Sequence, residues 1–233
     1  MKLQDIENKY GFKYPDLYKQ LHEDGMLDDG DYDENYDCDG NPKLKDNPSL
    51  FFYSNDFEVM DSESVEDVIE FLRGPEDFYR KIKEEYTFIP FGRTGGGDYW
   101  GFLYGNSEEN VPIVFLSYDP HITYLARNLQ EFFFKMLLTD MSRKDIYSDS
   151  SDDEFIGKLK RVYDSHKKYL TDKQRNILQE ILKRDIINHV ISRSNGHEEE
   201  GRGLLTDLEM KKIFNEIIPF DKMDVTTFDY LDE

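Results

Sequence analysis

Apolar residues recur along this chain in two different periods, and the switches between them mark its organisation. Leu3, Ile6 and Tyr10 fall at helical spacing, and Gly11 ends the run. Pro15 suits the first turn of a second helix with the apolar face Leu17, Tyr18 and Leu21, which Gly25 stops. Strand-like runs follow at 50–53 and 57–60, and a helix opens at Ser64 with Val65, Val68, Ile69 and Leu72 on one stripe. Gly74-Pro75 breaks the chain, and Phe78 with Ile82 marks a further helical stretch. The period then changes. Residues 87–91, 99–104 and 111–118 are rich in aromatic and β-branched side chains, with glycine or polar turns between them, and 122–125 adds a fourth short run. That pattern predicts an antiparallel meander. Asn128-Leu129-Gln130-Glu131 has the form of a capping box and leads into Phe132, Phe133, Met136 and Leu137.

Composition shifts near Leu138, and residues 148–154 form a serine- and acid-rich linker. Three capping patterns follow: Ser151 with Glu154, Thr171 with Gln174, and Thr206 with Glu209. They predict three helices. The second is expected to carry the stripe Ile177, Ile181, Leu182, Ile186 and Val190, with Asn195-Gly196 as a stop. The acidic tail after Phe220 is expected to fray. No repeat of the solenoid kind is present. The expectation is an α+β fold: a twisted antiparallel sheet of about four to six strands with helices packed against it, plus an α-helical C-terminal extension. The domains are expected at 1–140 and 141–233.

Charge changes the picture. The 233 residues carry 50 Asp or Glu against 29 Lys or Arg, a net charge of −21. Aromatic content of 15% argues against wholesale disorder, since acidic disordered chains are poor in aromatics. So strong an anion disfavours nonspecific binding to nucleic acid and steers basic partners inward. The charge is also uneven: residues 158–193 hold ten basic and four acidic side chains, +6, leaving −27 for the remainder. That basic segment could dock on the acidic body or form a separate contact surface. Cys38 is the single cysteine, so neither an internal disulfide nor a multi-cysteine zinc site can form. The N-terminus lacks the apolar core of a signal peptide, and the stretch 132–138 is too short to span a bilayer. A cytoplasmic protein with no membrane association is expected.

The chemistry-bearing patterns are weak. Gly92-Arg93-Thr94-Gly95-Gly96-Gly97 lacks the Lys-Ser/Thr ending of a phosphate loop and runs into a strand, so it reads as a tight hairpin. Asn35, Asp37, Asp39, Gly40 and Asp46 mimic calcium-loop spacing, but Asn stands first, Asp rather than Glu stands last, and Pro42 and Lys43 intrude. The five histidines have no metal spacing, and Cys38 sits among carboxylates that disfavour its thiolate. Trp100 reads as core. The run Phe132-Phe133-Phe134 covers more than one helix face, which leaves room for one ring at the surface. No catalytic residue, metal or cofactor is expected.

Three segments resemble a known family in order. Residues 6–21, with Gly11 and the Tyr14-Pro15 step, are similar to the opening of the SUKH superfamily (Smi-one/Knr-four-like proteins), and Glu23-Asp24-Gly25 supplies its ending. Phe88-Ile89-Pro90-Phe91-Gly92 followed by Gly95-Gly96-Gly97-Asp98-Tyr99-Trp100-Gly101-Phe102 resembles its central segment. Val114-Phe115-Leu116, then Asn128 to Phe133, resembles its closing strand and helix. The resemblance implies a sheet with packed helices and a role in protein contacts without catalysis. Its bacterial members are commonly immunity proteins that neutralise toxin domains, often nucleases, and its fungal relatives regulate cell-wall glucan synthesis. From Glu23 to Asp39 lie nine acidic residues and no basic one. The expected partner-binding residues are Asp28, Asp29, Asp31, Tyr32, Asp33, Glu34, Tyr36, Asp37 and Asp39. Their acids would face a basic toxin domain, with the two tyrosines supplying burial. The alternative is a scaffold or regulator of the glucan-synthesis type, recruiting its partner through the C-terminal helices.

Overall fold

The computed structural model describes residues 3–27, 57–74, 82–105, 111–117, 123–144, 151–192, 198–218, 225, 226 and 228. These form two compact units. One holds the described residues up to Leu27, those of 57–132, and 225, 226 and 228; the other runs from Phe133 to Ile218.

In the first unit, α1 (Leu3–Tyr10) and α2 (Asp16–Glu23) precede β1 (Glu58–Val59), α3 (Ser62–Arg73), β2 (Thr87–Arg93), β3 (Tyr99–Tyr104), β4 (Ile113–Leu116) and β5 (Thr123–Ala126). The five strands make one sheet in the order β1-β2-β3-β4-β5, every neighbour antiparallel. This is the meander that the aromatic runs predict. The glycine cluster closes the β2–β3 turn: Thr94 N–H donates to the Asp98 carbonyl at 2.9 Å, and Gly97 N–H to the Thr94 carbonyl at 3.0 Å. Helix α3 starts two residues earlier than its stripe suggests. The Asp61 side chain accepts from the Glu63 and Ser64 N–H groups at 2.8 and 2.9 Å, the N-cap its carboxylate is suited to.

Both faces of this sheet are covered, so β2 and β3 read as unbroken apolar runs rather than alternating ones. On one face Trp100 and Phe102 meet Phe57, Phe91, Tyr14 and Tyr18 at centroid separations of 4.8–6.1 Å. On the other, Phe88, Leu103, Val114 and Leu116 pack with Phe228. Trp100 is therefore core. Phe228 corrects the expectation of a frayed tail: it is fully buried, because a single aromatic ring among acids still gains most by leaving water.

Helix α4 (Leu129–Ser142) spans the division between the units, which falls between Phe132 and Phe133. All three rings of Phe132-Phe133-Phe134 are fully buried, so none remains at the surface. A helix apolar on every side is buried on every side. Its cap is a variant of the predicted box. Asn128 accepts from the Glu131 N–H at 3.0 Å, but the Glu131 carboxylate reaches back to the Arg127 N–H at 3.1 Å.

The second unit continues with α5 (Asp152–His166), a 3-10 turn (Lys167–Tyr169), α6 (Asp172–Ile181), β6 (Ile187–Ser192), β7 (Glu198–Gly203) and α7 (Asp207–Ile217). The three helices begin at the three predicted caps. Ser151 with Glu154 and Thr171 with Gln174 form full capping boxes, and Thr206 accepts from the Glu209 N–H at 3.1 Å. The stripe expected to run to Val190 ends at Ile181. Residues 187–192 instead pair with 198–203 as an antiparallel hairpin. Ile187, Val190 and Ile191 are β-branched, and β6 alternates outward Val190 with buried Ile191, a period of two that the helical reading overlooked. Asn195-Gly196 lies outside the described residues, as do Phe78, the strand-like run 50–53 and the calcium-like window.

Candidate functional site

The nine expected partner-binding residues, Asp28 to Asp39, lie outside the described residues. The structure does describe where the chain enters and leaves that tract. Gly25 has φ of 71°, the left-handed conformation that ends α2 without Cβ strain. Met26 then turns in, buried, and its N–H donates to the Leu21 carbonyl at 2.8 Å. The chain re-enters at Phe57, also buried, whose ring packs 5.1 Å from Trp100 and 6.3 Å from both Phe91 and Phe132. The described chain is thus buried on either side of the tract, at Met26 and at Phe57.

A buried carboxylate braces the helix pair beside the exit. Glu7 on α1 accepts from the Tyr14 N–H at 2.8 Å and from Lys13 and Lys19 at 3.1 and 3.0 Å. Burial pushes its carboxyl up, but Lys19, the Tyr14 N–H and Lys13 together outweigh it and hold it below the usual carboxylate range. A cavity of about 310 Å³ lies at this root, lined among others by Tyr14, Tyr18, Leu27, Met60, Asp61 and Val65. Tyr14 and Tyr18 stack at 4.7 Å, and burial pushes both hydroxyls far above the ordinary tyrosine value. They stay protonated at any physiological pH, as packing groups rather than bases. Backbone donation from Ser64, opposed by partial burial, holds the Asp61 carboxyl low, so it stays an anionic cap.

The titratable groups are dispersed. His22 sits exposed on α2, while His166 is fully buried in α5 with Nδ1 2.8 Å from the Val162 carbonyl. His189 on β6 places Nε2 2.9 Å from the Ser142 carbonyl. Among the described residues no three His, Cys, Asp or Glu side chains are grouped to hold a metal ion. Among them too, no helix is long and apolar enough to cross a membrane. Sequence reasoning missed Glu7 and Phe228. Glu7 falls at the buried helical spacing between Leu3, Ile6 and Tyr10, which was the available signal; Phe228 carried none beyond its aromatic character.

The model of the SMI1/KNR4 family (SUKH-1) matches residues 2–135, more than half of the 233. No curated protein matches the chain, and no solved structure does.

Proposed function

The chain belongs to the SMI1/KNR4 family (SUKH-1), and from that premise we propose that it is a non-catalytic, cytoplasmic immunity protein that neutralises a basic toxin domain through its acidic tract. The family covers immunity proteins and regulators of glucan synthesis, and its domains act through protein contacts. The observation that supports the finer reading is the density of acids, nine between Glu23 and Asp39 with no basic residue among them, in a stretch flanked by the buried Met26 and Phe57. A tethered polyanion imitates the substrate of an enzyme with a basic active site. Its field raises the encounter rate, while Tyr32 and Tyr36 would supply the apolar contact that slows dissociation.

The test is capture from an extract of the native host. The chain is immobilised beside a variant in which Asp28, Asp29, Asp31, Asp33, Glu34, Asp37 and Asp39 are replaced by Asn or Gln. The reading requires a basic protein that the first retains and the second loses. Co-expression of the unaltered chain should then rescue cells from that protein's toxic domain. Equal capture by both variants contradicts the proposal, and capture of a component of cell-wall synthesis would favour the family's regulatory role instead.

A further inference from the structure

Residue 228 occupies a built slot. Its ring is fully buried against Phe88, Leu103, Val114 and Leu116, and meets Tyr124 and Tyr86 edge-on at 5.9 and 6.4 Å. Its carbonyl accepts from the Lys83 N–H at 2.8 Å, and the Thr226 carbonyl accepts from the Tyr124 hydroxyl at 2.6 Å. These carbonyls lie two residues apart in the sequence. Val225 is 61% exposed, so among the described residues the ring of Phe228 supplies the burial and the two carbonyls supply main-chain acceptors. Recognition by backbone hydrogen bonds and one side-chain pocket is how extended peptides bind in trans.

A cavity adjoins this seat. A cavity of about 650 Å³ shares Leu72, Ile82, Tyr86 and Phe88 with the Phe228 seat, within the usual size range of ligand pockets, roughly 300–1,000 Å³. Among the described residues its lining adds the cations Arg73 and Lys83 and the acid Glu84. The chain from Phe228 onward reads Phe-Asp-Tyr-Leu-Asp-Glu, whose acids suit that balance. We propose that this slot is a peptide-binding site whose tethered occupant is the chain's own C-terminal segment, and that in trans it takes an extended acidic segment bearing one phenylalanine. None of its residues belongs to the acidic tract, so it stands or falls independently of toxin neutralisation. The tail acts as a resident competitor, at an effective concentration on the order of millimolar when tethered. An incoming segment must therefore outbid it.

The experiment introduces a protease site between Phe220 and Asp224 of the full chain, then follows a fluorescein-labelled peptide of residues 222–233 by anisotropy. The labelled peptide should enter the cleaved chain and bind the uncut chain at least tenfold more weakly. A peptide carrying Phe228→Ala should bind the cleaved chain at least tenfold more weakly than the unaltered peptide. Should the added site prevent folding, the full-length Phe228→Ala variant serves in its place and should take up the unaltered peptide. Equal binding to cut and uncut chains overturns the proposal. So does failure of the peptide to enter the cleaved chain or its substitute.

Discussion

The ring of Phe57 lies where a side chain on Gly92 would stand: a Cβ built there meets the ring at 2.4 Å. Strand β2 therefore carries glycine where the re-entering chain crosses it. Gly92→Ala should push Phe57 off the aromatic core and cost about 1–3 kcal/mol of stability, as overpacking does. Gly96→Ala is the control, since its nearest neighbour is the Thr94 hydroxyl at 3.5 Å and its cost should stay within about 0.5 kcal/mol. Urea unfolding of both variants measures the difference, and equal midpoints would show that Phe57 does not fix the tract's end.

Glu7 ties α1, the link to α2 and α2 itself through one buried carboxylate. Glu7→Ala leaves the buried Tyr14 N–H without its acceptor and should cost roughly 1–3 kcal/mol. Glu7→Gln keeps an acceptor and should cost less. Denaturant titration ranks the two, and the reverse order would contradict the brace.

Burial lowers the His166 imidazole to about 4 from its ordinary 6.5, against the opposing pull of the Val162 carbonyl. The folded state thus resists a proton that the unfolded state accepts. Stability contributed by the neutral ring is whole above pH ~6.5 and is lost as pH falls towards ~4, by up to about 3 kcal/mol. Many carboxylates titrate in the same window, so the measurement is the difference between the wild type and His166→Gln across pH 4 to 7. A constant difference would mean that the ring is not buried neutral.

Lys135 gives the opposite side of the same argument. Burial lowers its amine to about 8 from 10.5, although the Nζ lies 5.8 Å from the centre of the Phe214 ring. The folded state loses stability as pH falls from ~10.5 to ~8, and the full cost is present at pH 7. Lys135→Met should therefore raise stability at pH 7 by up to about 3 kcal/mol, with the gain shrinking above pH 8. Thermal melts at pH 7 and pH 10 test this, and a destabilised variant at pH 7 would contradict it.

The parts of the fold that were legible in the sequence are those set locally. The caps at Ser151, Thr171 and Thr206 each place a hydroxyl three residues before the donor it serves, and each starts a helix. The meander was legible because β-branched and aromatic runs alternate with turns too short for crossovers. The hairpin of β6 was misread because Ile186 and Val190 also satisfy a helical spacing after α6, and periodicity alone cannot arbitrate so short a run. Phe228 was illegible because its burial depends on strands more than 100 residues earlier, a relationship that no local pattern encodes. Of the candidate site, the acid density could be read directly. The anchoring of its ends depends on Gly25, Met26 and Phe57, whose partners are distant in sequence or set by backbone conformation.

In the proposed role, the acidic tract draws a basic protein by its field. The most direct measurement is the association rate of the captured partner as a function of salt, by stopped-flow fluorescence. Exposed charges are screened beyond ~8 Å at physiological ionic strength. The rate should therefore fall at least about tenfold between low and high salt, with the dissociation rate nearly unchanged. The variant lacking the seven acids should show a shallow dependence. A salt-independent association rate for the unaltered chain would contradict the account.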